Sequence, residues 1–219
     1  MPEILLAVAA AASLSTIGFA LILTTLYIVL AWKHYRLSIE NIELKHNMMH
    51  DFMTGLANRR WLETNFDRRR LRWGRNGNPI LVMVIDVNNF KSVNDNHGHD
   101  EGDAIIRFIS SKILEALRPE DIVVRPNEGG DEFWVVLSAP NAQILHTIIR
   151  RVLDDAWCRV DSELRVTISA GCTLLGEHEA LQLAIKRADG LLFHAKEESH
   201  ETDKASVRYD FETPLRVVD

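Results

Sequence analysis

The feature that most constrains this chain is a long uncharged stretch near its N-terminus. No residue from Ile4 to Trp32 carries a charge. A helix of about 20 apolar residues spans a bilayer, so this stretch is long enough to cross one with some tilt. A cleavable signal peptide is the alternative, but it would need a basic start, a shorter apolar core and a small-residue cleavage site. Because Glu3 is the only charged side chain before the stretch, we predict a retained transmembrane helix over residues 4–32.

The residues that flank this helix predict its orientation. Lys33 and Arg36 follow it directly, whereas no Lys or Arg precedes it. An excess of Lys and Arg marks the cytoplasmic side of a membrane span, and Trp32 and Tyr35 suit the aromatic belt at the interface. We therefore expect a single-pass membrane protein whose C-terminal part is cytoplasmic, with no sensor domain on the other side of the membrane.

A connector helix is predicted over residues 33–50. Apolar residues and one histidine recur here three and four positions apart, and the series continues beyond the connector: Ile39, Ile42, His46, Met49, Met53 and Leu56. This spacing is typical of a coiled-coil seam, but fewer than three heptads are present. A short coiled coil and a plain amphipathic connector therefore both stay open.

The composition of the remaining chain excludes some classes of protein. The net charge is −6, which argues against a nucleic-acid-binding domain. Cys158 and Cys172 have no metal-site spacing and suit a reducing compartment. The arginines between residues 59 and 75 fit a solvated helix face, or a surface attracted to anionic lipid.

Helical and strand patterns alternate after the connector, which indicates an α/β domain over residues 51–208. Residues from His200 onward are predicted to be polar and irregular, with at most a short terminal strand, and residues 209–219 form the tail. The apolar runs predict buried strands at 80–85, 122–124, 133–137 and 164–174. The predicted helices are 61–72, 102–117, 141–157 and 179–198, and residues 88–99 are predicted to be a polar turn region.

Two acidic positions follow the ends of predicted strands. Asp86 closes an apolar strand, where a buried carboxylate would be costly, so it is expected at an open end of the sheet. Asp131 and Glu132 belong to a Gly-Gly-Asp-Glu connection between two strands, and Gly-Gly alone fits an ordinary hairpin turn. Carboxylates that cluster repel one another unless a cation joins them, and all-oxygen ligands suit Mg²⁺ or Mn²⁺.

The segment from Asp86 to Asp103 is unusually polar and ends at a predicted helix start. Backbone N–H groups near Gly98 and Gly102 favour anions. Lys91 offers a point charge for phosphate, and Asn94 and Asp103 offer hydrogen-bonding groups for a base edge.

Five ordered blocks together resemble the signatures of GGDEF domains. They are Asp51–Arg60, Asp86–Asp103, Gly129–Phe133, Val166–Gly171 and Ala188–Lys196. The resemblance implies a GGDEF-type nucleotide cyclase fold, with a mostly antiparallel central sheet flanked by helices. It also implies bacterial cyclic di-GMP signalling, and hence the inner membrane for the predicted anchor.

The resemblance further implies diguanylate cyclase activity, in which a homodimer of half-sites condenses two GTP into cyclic di-GMP and two pyrophosphates. Mg²⁺ or Mn²⁺ would be the cofactor. By similarity, Asp131 and Glu132 would be catalytic, with Asp131 as the base for the 3′-hydroxyl. The metal ligands would be Asp86, the Val87 carbonyl, Asp131 and Glu132. The substrate-binding residues would be Lys91, Asn94, His99, Asp103 and Lys196.

Arg118 and Asp121 resemble a product-inhibition site that would bind cyclic di-GMP, although a local surface ion pair is the plain alternative.

The chain departs from the family pattern in three places. Arg125–Glu128 is two residues longer than the usual approach to Gly129, Asn88 replaces a frequent Asp, and His200 stands where an Arg is expected. A second interpretation follows from these departures: a weak or inactive GGDEF domain that senses GTP or cyclic di-GMP. Neither interpretation has a nucleic-acid partner.

Overall fold

The computed structural model describes residues 2–74, 77–155, 158–159, 165–202 and 204–211. The chain folds into two compact units, Met1–Met48 and Met49–Asp219. The helices are α1 (Pro2–Met49), α2 (Arg59–Gly74), α3 (Phe90–His97), α4 (His99–Ala116), α5 (Ala142–Asp155) and α6 (Leu181–Thr202). The strands are β1 (Ile80–Val87), β2 (Ile122–Val124), β3 (Glu132–Ser138), β4 (Cys158–Arg159), β5 (Arg165–Val166), β6 (Ile168–Leu174) and β7 (Ser206–Tyr209).

The first unit consists of helix α1. Within its described side chains, Gly18–Ile42 is long and apolar enough to cross a membrane. A signal sequence near an N-terminus passes the same test of length and composition. The transmembrane anchor over residues 4–32 therefore stays a prediction.

The second unit is built on a five-stranded sheet in the order β2-β3-β1-β6-β7. Neighbouring strands in this sheet run antiparallel, except that β6 and β7 run parallel. Strand β1 lies at the centre and is buried along its whole length, as expected for a continuous apolar run covered on both faces. The mostly antiparallel sheet with flanking helices confirms the predicted fold class.

The two faces of the sheet bury separate clusters, because alternate residues of a strand point in opposite directions. Leu81, Met83 and Ile85 share a core with apolar residues of α4 and α5. Val82 and Val84 share the other core with residues of α2 and α6. Helix α6 comes very close to the sheet at Gly171, where an added Cβ would lie 2.0 Å from the Ala188 carbonyl oxygen. Asp86 continues the alternation of Val82 and Val84, so its side chain points to the α6 face.

Three predictions of local structure are wrong in part. The predicted turn region 88–99 contains helix α3. A helix forms there because it lets Val93 become buried and Phe90 pack against the core. The predicted seam from Ile39 does not run to Leu56, because α1 ends at Met49 and Leu56 is buried in the core of the second unit. The predicted strand 164–174 is interrupted at Thr167, and residue 164 lies outside the described part of the chain.

Candidate active site

The register of the sheet brings the predicted carboxylates together. Asp86 on β1 lies directly opposite Glu132 on β3, and on its other side it faces Ser169 on β6. Directly opposed residues of neighbouring strands point to the same face of a sheet. Asp86 and Glu132, 46 positions apart in the sequence, therefore face the same side at the end of the central strand.

The turn between β2 and β3 is closed by Arg125. Its Nε and Nη2 donate to the Gly130 carbonyl at 3.0 and 2.7 Å. Gly129 adopts a φ of 74°, a conformation that glycine reaches without steric cost. The Val87 N–H donates to the Asp131 carbonyl at 3.3 Å. The longer approach from Arg125 therefore still delivers Asp131 to the end of β1.

Lys196 of α6 places an ammonium group beside these carboxylates. Its Nζ lies 2.7 Å from Asp86 Oδ1. The pKa of Asp86 is raised to about 6, mainly by burial and in addition by the charges of Asp131 and Glu132, while Lys196 opposes the shift. The site therefore holds more negative charge than Lys196 compensates.

Glu132 is hydrogen-bonded to a neighbour on its own strand. Trp134 Nε1 donates to Glu132 Oε1. Burial is the main reason why the pKa of Glu132 lies above its usual value, and Asp189 and Asp131 raise it as well. Glu132, Trp134 and Asp189 border a cavity of about 310 Å³ between α2 and α6.

The predicted base-reading residues lie on the neighbouring helices α3 and α4. An added Cβ on Gly102 would lie 1.9 Å from Asn94 Oδ1, so only glycine lets the Asn94 amide lie against α4. Asp103, the next residue, forms an ion pair with Arg107 at 3.6 Å. The structure thus brings Asn94 close to the start of α4, whereas Lys91 and His99 are exposed. Nucleotide binding by these four residues stays a prediction.

Asn88 stands at a position where the family often has Asp, and its side chain hydrogen-bonds the end of β1 to residues at the start of β6. Its Nδ2 donates to Thr167 Oγ1 at 2.9 Å, and its Oδ1 accepts from Ser169 Oγ at 2.8 Å. All three side chains are buried. A neutral amide satisfies both partners without adding another charge beside Asp86.

Arg118 and Asp121 meet through the backbone. Asp121 Oδ2 accepts from the Arg118 N–H at 2.9 Å, and no ion pair between the two side chains occurs in the described part of the chain. Arg69 of α2 donates to the Glu120 carbonyl at 2.7 Å and so ties this turn to α2. Within the part of the chain that the structure describes, the Arg118 guanidinium forms no ion pair. The role of both residues in binding the product stays a prediction.

The donor set of the site fits a divalent cation that arrives with a nucleotide. Within the described ranges, no three His, Cys, Asp or Glu side chains form a group that could hold a metal by themselves. A hard cation such as Mg²⁺ is commonly held by one or two carboxylates together with substrate phosphates. The excess negative charge around Asp86 and the ammonium group of Lys196 beside it both indicate that this position attracts a cation.

Two structural contacts were not predicted from the sequence. Arg125 forms a buried ion pair with Asp51, and Trp134 holds Glu132. Asp51 lies in the first block that resembles the family, and Arg125 lies in the segment that departs from the family pattern. The two are 74 residues apart, so no local sequence pattern predicts that they pair. For Trp134 a signal existed, because residues two apart on a strand share a face.

Known proteins match this chain over most of its length. A family model described as "Diguanylate cyclase, GGDEF domain" matches residues 48–202. Diguanylate cyclase DosC of Escherichia coli K12 is 34% identical over 157 residues, which cover 69% of this chain and 34% of DosC. The chain thus spans about a third of the length of that curated relative.

Solved structures share the fold. Diguanylate cyclase SiaD of Pseudomonas aeruginosa, solved with its activator SiaC, is 28% identical and has a TM-score of 0.64, covering 94% of this chain and 79% of SiaD. The GGDEF domain of DgcB from Caulobacter crescentus, solved with c-di-GMP, is 25% identical and has a TM-score of 0.60, covering 74% of this chain and 95% of that domain. Sequence, fold and the order of the site residues agree, and the chain therefore belongs to the GGDEF family of diguanylate cyclase domains.

Proposed function

We propose that the protein is an active, membrane-anchored diguanylate cyclase that condenses two GTP into cyclic di-GMP and two pyrophosphates. The observation that carries this proposal is the register of Asp86 opposite Glu132, beside the Gly129–Gly130 turn. It gathers the acidic groups at one end of the sheet, next to Lys196. Relatives named diguanylate cyclases support the proposal.

The reaction forms two phosphodiester bonds. The 3′-oxygen of each GTP attacks the α-phosphorus of the other, the bond to the bridging oxygen of pyrophosphate breaks, and the 3′-hydroxyl proton is lost. Asp131 is our choice for the group that accepts this proton, since its backbone carbonyl is hydrogen-bonded to the Val87 N–H at the end of β1 and its side chain is a carboxylate. Holding the two nucleotides in line supplies much of the rate acceleration in such transfers.

The cofactor is proposed to be Mg²⁺ or Mn²⁺, held by Asp86, the Val87 carbonyl, Asp131 and Glu132. Such an ion neutralises phosphate charge and orients the reacting oxygens. Lys196 on α6 would then bind phosphate, since its ammonium group already lies among the same carboxylates.

The remaining substrate contacts come from the segment between β1 and α4. Asn94 and Asp103 are proposed to bind guanine, His99 to contact the nucleotide and Lys91 to bind phosphate. The close approach of Asn94 to Gly102 supports a shared surface of α3 and α4 for the base. Arg118 and Asp121 are proposed as the feedback site for cyclic di-GMP, with the Arg118 side chain available for phosphate.

The rest of the proposal concerns assembly. Residues 4–32 would anchor the chain in the inner membrane, and the connector 33–50 would bring two cytoplasmic GGDEF domains (51–208) together, with 209–219 as a tail. The apolar composition of Gly18–Ile42 supports the anchor. Two half-sites are required because each nucleotide is both attacker and target.

The proposal is tested on the full chain in lipid nanodiscs, supplied with GTP and Mg²⁺, beside an Asp131→Asn variant. We expect pyrophosphate and cyclic di-GMP from the parent and a loss of at least about 100-fold in the variant. A dimeric parent that releases no pyrophosphate would overturn the proposal.

The second candidate is a nucleotide-sensing module without turnover. His200 favours it, because an imidazole on α6 is a poorer phosphate partner than the guanidinium of the Arg expected there. Calorimetry that shows tight binding of GTP or cyclic di-GMP, together with no pyrophosphate, would establish this candidate.

A further inference from the structure

The Glu132 carboxylate is held by a side chain that belongs to none of the family signatures noted above. Glu132 and Trp134 are two residues apart on β3, so both point towards α2 and α6. The indole Nε1 donates a hydrogen bond to Glu132 Oε1. Trp134 is only 8% exposed and packs in the cluster that α2 and α6 form with the sheet. The donor is therefore itself fixed by packing.

Helix α2 closes over the other side of the indole. The Arg59 guanidinium carbon lies 5.9 Å from the centroid of the Trp134 ring, within the range of a cation–π contact. Arg59 Nε in turn donates to Glu63 Oε1 at 2.9 Å, one turn further along α2. A continuous series of contacts thus runs from Glu63 through Arg59 and Trp134 to Glu132.

The chemistry of this donor suits a carboxylate that must bind a cation. Asp86 has a cationic partner, Lys196, which a metal ion would have to replace or share. Trp134 offers a neutral N–H, which engages one oxygen of Glu132 and leaves the other free for a ligand. The charges of Asp189 and Asp131 repel the Glu132 carboxylate while Lys196 attracts it, and the indole N–H fixes which way the carboxylate points.

We propose that Trp134 is a positioning residue that fixes the Glu132 carboxylate for a divalent cation bound with GTP, and that the Arg59–Glu63 pair holds the indole in place. This inference rests on the proposed function, because it takes Glu132 as a metal ligand. Groups that orient metal ligands typically change metal affinity by about 10- to 100-fold.

The test compares two substitutions of similar size. Trp134→Phe removes the N–H, whereas Trp134→His retains a ring N–H, because His Nε2 stands at the same position along the side chain as Trp Nε1. Mn²⁺ binding to the full chain in nanodiscs is measured by electron paramagnetic resonance, with a non-hydrolysable GTP analogue present. Trp73→Phe, which alters a partly buried tryptophan packed against the same cluster, is the control.

We expect Mn²⁺ affinity to fall about tenfold in Trp134→Phe, to recover at least in part in Trp134→His, and to stay unchanged in Trp73→Phe. In turnover, kcat should fall while KM for GTP stays within about twofold, since the base and ribose contacts are untouched. Arg59→Gln should give a smaller loss of the same kind.

Wild-type Mn²⁺ affinity in a folded Trp134→Phe chain would overturn the inference. Equal losses in the Phe and His variants would overturn the role of the hydrogen bond, because packing would then explain both. If the parent makes no pyrophosphate but Trp134→Phe still weakens Mn²⁺ binding, the cyclase proposal fails and the positioning role stands.

Discussion

Arg125 and Asp51 form a buried ion pair that joins the start of the second unit to the Gly129–Gly130 turn. Arg125 Nη1 lies 3.0 and 3.1 Å from the two Asp51 carboxylate oxygens, and each side chain is 1% exposed. The same guanidinium donates to the Gly130 carbonyl. One side chain thus ties residue 51 to the turn that carries Asp131.

Asp51→Asn is expected to destabilise the second unit strongly. The change leaves the Arg125 charge buried without its counter-ion, and breaking such a pair costs about 3–5 kcal/mol. Chemical unfolding of the detergent-solubilised chain, followed by tryptophan fluorescence, measures the loss. Glu115→Gln, which breaks the exposed pair with Lys112, is the control and should cost less than about 1 kcal/mol. Equal losses in both variants would contradict this account.

The same ion pair predicts a loss of stability in acid. Burial alone would raise the pKa of Asp51, but hydrogen bonds from Thr54 and Arg125 together hold it below its usual value. A lowered folded pKa adds stability that is complete above the unfolded pKa of about 3.9 and lost as the pH falls through the folded value. The difference in unfolding free energy between wild type and Asp51→Asn should therefore be constant from about pH 5 to 8 and shrink below about pH 4. A difference that persists undiminished at pH 3 would count against the pair.

Gly171→Ala should separate helix α6 from the sheet. The added Cβ would lie 2.0 Å from the Ala188 carbonyl oxygen and 2.4 Å from the Leu192 nitrogen, and neither backbone atom moves without the helix. We expect a loss of about 1–3 kcal/mol or more in unfolding free energy. Gly190→Ala, on α6 with nothing within 4 Å of its added Cβ, should instead gain up to about 1 kcal/mol. Similar values for both variants would mean that α6 does not approach the sheet this closely.

The dimeric half-site proposal predicts an effect of Ile42→Asp. Ile42 belongs to the predicted seam and is 67% exposed in the single chain, so a charge there should weaken dimerisation and activity together. Leu44→Asp, two residues away and 54% exposed, lies outside the seam and is the control. Mass photometry and turnover at several protein concentrations provide the measurement. Unchanged mass and activity in Ile42→Asp would argue against a dimer through this helix.

The sheet and its acidic end were largely predictable from the sequence. Apolar β-branched runs predicted β1, β2 and β3, and Asp86 was expected at an open end of the sheet because a carboxylate closes an apolar run. Asp86 does lie at the end of β1, but it is only 9% exposed, and its charge is paired with Lys196 instead of facing solvent. Its pairing with Glu132 was not predictable, because strand register depends on contacts between distant segments. The mostly antiparallel arrangement was expected only from the family resemblance, and the strand order was not predicted.

Helix α3 shows where composition misled. Asn, Asp and His predicted a turn region, but Phe90 and Val93 supply an apolar face three residues apart, and α4 covers it. Packing of this face outweighs the weak helix preference of the polar residues. Asp51 and Arg125 were missed for a different reason: each was noted separately, and nothing in either segment indicates the other.

The central claim is that this acidic end of the sheet condenses GTP, and the amounts of both products from one reaction test it most directly. Purified full chain in nanodiscs receives GTP and Mg²⁺, and pyrophosphate and cyclic di-GMP are quantified together. We predict two pyrophosphates for each cyclic di-GMP, and neither product above background from Asp131→Asn. A dimeric wild-type chain that binds GTP but forms no cyclic di-GMP would contradict the account.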